Sequence, residues 1–198
     1  MLKDKIKFLI ILISFLVIPK NSFSIEPNIF VQSTVNRASQ ILSDDISKSE
    51  KIEKLKQVAN DTVDIKGIGF YTLGKYRKEL SDVQKEKYNE LFKTYFLKSF
   101  SSRLAEYTNP KIDVQSQEKL NENYTIVSSI LVATETRPEV KIQWRIYTKN
   151  PDKPMIRDLI IEGLSLARTQ KEEFGSIIQS NDGNIESLFS SLKKFINN

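Results

Sequence analysis

Between Val140 and Tyr147 apolar and polar positions alternate: Val140, Ile142, Trp144 and Ile146 are interleaved with Lys141, Gln143, Arg145 and Tyr147. A period of two is that of a half-buried strand. The turn residues from Asn150 to Pro154 follow, and the mostly apolar run from Met155 to Ile161 returns antiparallel beside the first. Gly163 marks a bend into a helix that starts near Ser165. Such a hairpin has one apolar face, one polar face and an abrupt exit.

Upstream, the period is helical. Pro27 suits a first turn, and Val31, Val35, Ala38 and Leu42 recur on one face of a helix to about residue 43. Ser47 and Glu50 fit a capping box ahead of Ile52, Leu55, Ala59 and Thr62. A short apolar segment over 65–73 stops at Gly74. Ser81 and Gln84 form a second capping box and open the longest helix, 82–107, whose stripe is Tyr88, Leu91, Phe92, Tyr95, Phe96, Phe100 and Leu104. Pro110 ends it. Strands are predicted over 111–118, 123–134, 139–148 and 155–162, and closing helices over 165–180 and 184–196, split by Asn181-Asp182-Gly183. The order predicts one α+β domain over 25–198, a twisted antiparallel sheet of about four strands packed against a group of helices.

The first 24 residues read as a secretory leader instead. Lys3, Lys5 and Lys7 precede an apolar run from Phe8 to Ile18, and Ser22 and Ser24 suit the positions before a cut. Eleven apolar residues fall short of the roughly 20 needed to span a bilayer. Cleavage there changes the charge balance. Of 30 Lys+Arg and 25 Asp+Glu, the leader holds Lys3, Lys5, Lys7, Lys20 and Asp4, which leaves 26 against 24. No basic block or aromatic-basic stripe remains, so nucleic acid is not an expected partner.

Cys and His are both absent. The fold must rest on its core, without disulfides. The commonest general base and zinc ligand is missing as well, and with no metal or cofactor expected, carboxylates, Lys, Tyr and hydroxyls are what remains for chemistry. Asp158 stands in an apolar strand and needs partners if buried. Arg145 or Lys141 on the neighbouring strand, or backbone N–H groups near the turn, would supply them. A sharper alternative makes Asp158 a general base, with a Tyr acid, in a cone-shaped pocket of isomerase type. Glu162 reads as a cap or surface charge, 171–173 as a solvated helix face, and Val31, Val35 and Leu42 as plain core. The aromatic stripe is core or the wall of an apolar cavity, and periodicity does not separate the two.

Taken together, the chain resembles the MlaC family of periplasmic lipid carriers of Gram-negative bacteria, also called the toluene-tolerance auxiliary family. The residues that carry the resemblance are Leu73-Gly74 with Tyr76-Arg77, the helix from Gln84 to Tyr107, Gln143-Trp144-Arg145, Asp158 through Glu162-Gly163-Leu164-Ser165, and the closing Phe174-Gly175, Ile177-Ile178 and Gly183. Ser128 and Ser129 depart from the pattern by interrupting an apolar strand. The resemblance implies a soluble, monomeric periplasmic protein that buries the acyl chains of a phospholipid in an apolar cavity between helices and sheet. It also implies traffic between an outer-membrane lipoprotein–porin complex and an inner-membrane ABC transporter with an MCE-domain component.

Periodicity and resemblance together put Phe70, Leu73, Phe92, Tyr95, Phe96 and Phe100 of the helices on the cavity wall. From the sheet and the turn after it they add Ile126, Ile130, Val140, Ile142, Trp144, Leu159, Ile161 and Leu164. Arg145 and Arg157 are candidate neighbours of a head group. Two rivals stay open: an enzyme that depends on Asp158 and a Tyr, and a ligand-free adaptor with a filled core.

Overall fold

The computed structural model describes residues 24–198; the leader falls on residues outside that range except for Ser24. Four helical segments come first: α1 (Pro27–Ser43), α2 (Lys48–Thr62), α3 (Ile65–Thr72) and, after a 3-10 turn over Gly74–Lys78, α4 (Asp82–Leu104). Five strands follow: β1 (Ile112–Asn121), β2 (Tyr124–Leu131), β3 (Val140–Tyr147), β4 (Met155–Ile161) and β5 (Leu164–Ser165). Helices α5 (Leu166–Gln179) and α6 (Ile185–Asn197) close the chain.

Local chemistry sets these boundaries. Ser47 and Ser81 each accept from the backbone N–H three residues on, and Glu50 and Gln84 accept in return from the serine N–H, so both capping boxes are complete. Gly74, at φ +56°, takes the left-handed conformation that ends α3. Helix α4 stops at Leu104 instead of running to 107, because Ala105 to Tyr107 tighten into a last turn before Asn109 at φ 45°. Ser165 caps α5 by accepting from the Arg168 N–H.

The sheet is an antiparallel meander in the order β1-β2-β3-β4-β5, so the four expected strands gain a short fifth after the Glu162-Gly163 turn. Pairing of β2 with β3 is unbroken from Tyr124↔Tyr147 to Leu131↔Val140, while β3 and β4 slip between Arg145 and Ile146. The free side of β4 is covered twice. Val63 bridges Ile156 in parallel and the Asp64 N–H donates to the Ile156 carbonyl at 2.9 Å, while β5 covers the far end. An edge so covered offers no template for a foreign strand.

Helices lie against the sheet face that carries Val127, Leu131, Ile142, Trp144, Ile146 and Ile156, all buried. Helices α3 and α4 come close together at Gly69, where an added Cβ would stand 2.8 Å from the Phe92 ring. Beside it the Tyr88 hydroxyl donates to Thr72, whose own hydroxyl donates to the Gly69 carbonyl. Burial, only partly countered by the Thr72 bond, pushes the Tyr88 phenol far above its ordinary value, so it stays a neutral donor.

Asp158, 4 % exposed, ties the sheet to α5. Its Oδ1 accepts from the Ala167 N–H at 3.0 Å and its Oδ2 from the Ser165 hydroxyl at 2.6 Å. Arg145 stands 3.5 Å from Oδ2. On the outer face, Arg157 donates to Asp64 at 2.7 Å and to the Tyr124 hydroxyl at 2.8 Å, over the Tyr147 ring at 3.7 Å.

Two substitutions test this frame. Gly69→Ala adds helix propensity, about 0.5–1 kcal/mol. It also drives a methyl into a ring hemmed by Tyr88, Tyr95, Phe96 and Phe174, at about 1–3 kcal/mol. The net effect expected in urea unfolding is a loss of stability. Asp158→Asn weakens charge-assisted bonds worth about 1.5–3 kcal/mol each, so the melting temperature should fall while the fold is kept.

Candidate functional site

Helix and sheet do not close on each other everywhere. Two apolar hollows lie between them, one of about 260 Å³ and one of about 210 Å³. The larger is walled by Phe92, Tyr95 and Phe96 of α4 against Trp144, Ile156 and Leu159 of the sheet, with Thr169, Gln170 and Glu173 of α5 along its side. The smaller runs beneath α1 and α2, along Val35, Ala38, Leu42, Leu55, Val58 and Ala59, with Ile142 and Ile161 opposite. Both share Val63, Phe100, Arg103, Trp144, Ile156, Leu159 and Leu166. They are two lobes that meet along one wall.

The α4 stripe keeps the larger lobe open. Tyr88 and Phe92 sink into the core, but Tyr95, Phe96 and Phe100 are only half-buried. These rings pack on one another instead of filling the gap: Phe92 lies 6.1 Å from Phe96, and Phe96 stacks on Phe100 at 5.3 Å with an interplanar angle of 11°. The Tyr95 hydroxyl donates to Gln170 at 2.9 Å, which holds the ring upright at the side of the lobe. Burial, with Glu173 nearby, raises the Tyr95 phenol above its usual value, so it keeps its proton.

Trp144 is fixed with equal firmness. Its indole N–H donates to the Ser129 hydroxyl at 2.8 Å, and that hydroxyl donates to the Ile142 carbonyl at 3.3 Å, both inside the core. The serine that interrupts the apolar strand is thus the acceptor that lets a buried tryptophan keep its N–H satisfied. It does not line either lobe.

Of the residues expected on the wall, Phe92, Tyr95, Phe96, Phe100, Ile142, Trp144, Leu159 and Ile161 line a lobe. The others do not. Ile126 and Ile130 pair with Arg145 and Lys141, which puts them on the outer face; the inward row of β2 is Thr125, Val127, Ser129 and Leu131. Leu73 is consumed by the core at the end of α3, and Phe70 packs against that core with Lys66 over its ring. Val140 opens β3 at the sheet's margin, and Leu164, 59 % exposed, points to solvent in β5.

Other positions were not foreseen. Val35 and Leu42, expected as plain core, line the smaller lobe. The alanines Ala38 and Ala59 beside them are the sequence signal, since small side chains on a core-facing helix leave space. Arg145 and Arg157, the candidate head-group neighbours, are committed to Asp158 and Asp64 and line neither lobe. The cation that does line both is Arg103, which continues the stripe of Phe92, Phe96 and Phe100 by one further helical step.

The chemistry on offer is sparse. The charged residues that line the lobes are Arg103, Asp158 and Glu173. Both carboxylate oxygens of Asp158 accept bonds that hold the β4–α5 junction, the arrangement of an anchor and not of a poised base. Glu173 accepts from Gln170 at 2.9 Å.

Known proteins agree with this architecture. A phospholipid-binding protein of Ralstonia solanacearum, solved in complex with a phospholipid, superposes with a TM-score of 0.73 over 87% of this chain and 98% of that one. At 18% sequence identity the likeness is one of fold. The model of the family described as MlaC protein matches residues 32–194, from the first turns of α1 to the last turns of α6. The chain therefore belongs to the MlaC family.

Proposed function

We propose that the protein is a periplasmic phospholipid carrier that buries acyl chains in the two-lobed cavity. On this proposal it moves lipid between an outer-membrane lipoprotein–porin complex and an inner-membrane ABC transporter with an MCE-domain component. The observation that carries the reading is an apolar double cavity, framed by fixed aromatic rings, in a chain of the MlaC family. The relative of like fold that was solved with a phospholipid supports the choice of ligand.

Transfer free energies explain why such a protein is needed. Two acyl chains carry roughly 30 methylenes, and at about 0.8 kcal/mol each their exposure to water costs on the order of 20–25 kcal/mol. No lipid crosses an aqueous gap bare at a useful rate. A carrier needs apolar volume and a way in, and no reacting group. Asp158 and Tyr95, the acid and the tyrosine that border the larger lobe together, are both tied to structural partners, which favours carriage over turnover.

Organic extraction of purified protein, followed by mass spectrometry, should release phospholipid, and emission from Trp144 should shift when the lipid is removed and restored. Phe96→Asp and Ile142→Asp each place a charge in one lobe, Phe96 in the larger and Ile142 in the smaller. Against acyl chains a bare carboxylate costs several kcal/mol, so each variant should lose its lipid. Folded variants that both retain lipid would show that the chains lie elsewhere. Export is tested by sequencing the N-terminus of periplasmic protein, which should begin near Ile25; intact Met1 in the inner membrane would refute it.

A further inference from the structure

Arg103 is exposed on the last turn of α4, yet it lines both lobes. Among the described residues its side chain makes no hydrogen bond and no ion pair. The other charged liners are occupied, Asp158 by Ser165, Ala167 and Arg145, and Glu173 by Gln170. A guanidinium carries five donors in a planar fork that matches phosphate geometry. Here that fork is uncommitted where two apolar lobes share a wall.

The second member of that shared rim is Leu166, 41 % exposed. Arg103 and Leu166 are the exposed residues among those common to both lobes, so both cavities reach solvent between the end of α4 and the start of α5. A ligand with two apolar chains that diverge from one polar point fits this shape. Its chains part over the wall shared by Trp144 and Leu159, and its branching point rests at the rim.

We propose, on the footing of the carrier reading above, that Arg103 is the phosphate contact of the bound lipid. It pairs with the phosphodiester as the two chains enter separate lobes, and so makes the site select phospholipid over neutral diacylglycerol. Placement at the C-terminal end of α4 would favour a cation in any case. That role alone gives no reason for the side chain to border both cavities, and it acts on stability, not on ligand choice.

The test uses delipidated full-length mature protein, with Trp144 emission as the readout and three probes: dioctanoyl phosphatidylglycerol, dioctanoylglycerol and inorganic phosphate. The unsubstituted protein should prefer the phosphatidylglycerol by about tenfold or more, the size expected of a charge-assisted contact. In Arg103→Gln that ratio should collapse toward one, and Arg103→Lys should restore part of it. Inorganic phosphate at the same concentrations should not compete, since it brings no chains to anchor it. An unchanged ratio in a folded Arg103→Gln protein, judged by its melting curve, overturns the proposal and leaves the carrier reading standing. Competition by inorganic phosphate at matching concentration also overturns it, because the site would then bind a free anion. Failure of the unsubstituted protein to take up either lipid overturns both.

Discussion

The structure depends on a helix layer that is fastened to the sheet along β4 and held off it farther on. The Asp64 N–H joins the Ile156 carbonyl and the Asp64 carboxylate holds Arg157. On the same strand, Asp158 accepts from Ser165 and Ala167 at the start of α5. Away from these fastenings the α4 rings pack on one another and leave the lobes unfilled. Apolar side chains that border an unfilled lobe go without the dispersion contacts a packed core would give them. Native stability is only about 5–15 kcal/mol, so the polar contacts along β4 matter for keeping the layers in register, and any ligand that fills the lobes stabilises the whole molecule.

The same division explains what could be read from sequence. Helix starts were legible because capping is local chemistry: Ser47 with Glu50 and Ser81 with Gln84 carry their signal within four residues. Strand β3 was legible because its apolar face alternates cleanly, and the turn residues from Asn150 to Pro154 marked the return of β4. Strand β2 misled, since its inward row includes Thr125 and Ser129 while Ile126 and Ile130 face outward beside Arg145 and Lys141. Ser129 faces inward because Trp144 needs an acceptor, and that need is set by a neighbouring strand. Periodicity assigns faces by apolarity and has no access to such a pairing.

Core and cavity wall were likewise inseparable along the chain. Phe92 and Phe96 are one helical turn apart on one stripe, yet the first is buried against Gly69 and Phe174 and the second is half-buried at a lobe. What separates them is the partner across the gap. Phe92 sits where Gly69 lets α3 approach closely, and Phe96 lies one turn farther on, facing the lobe. A glycine on one helix and alanines on two others decide where the interior is solid and where it is hollow.

Asp158 shows how closely the hollow and the frame are joined. Its Oδ1 fixes the Ala167 N–H, and the residue before Ala167 is Leu166, which borders both lobes at the surface. Leu159, the residue after Asp158 in β4, lies on the shared wall below. One carboxylate therefore sets the spacing between a residue of the wall and a residue of the rim. A buried acid inside an apolar cavity looks like a catalytic group when taken alone. With its oxygens given to the start of α5, it holds Leu166 at the rim in place relative to Leu159 on the wall below.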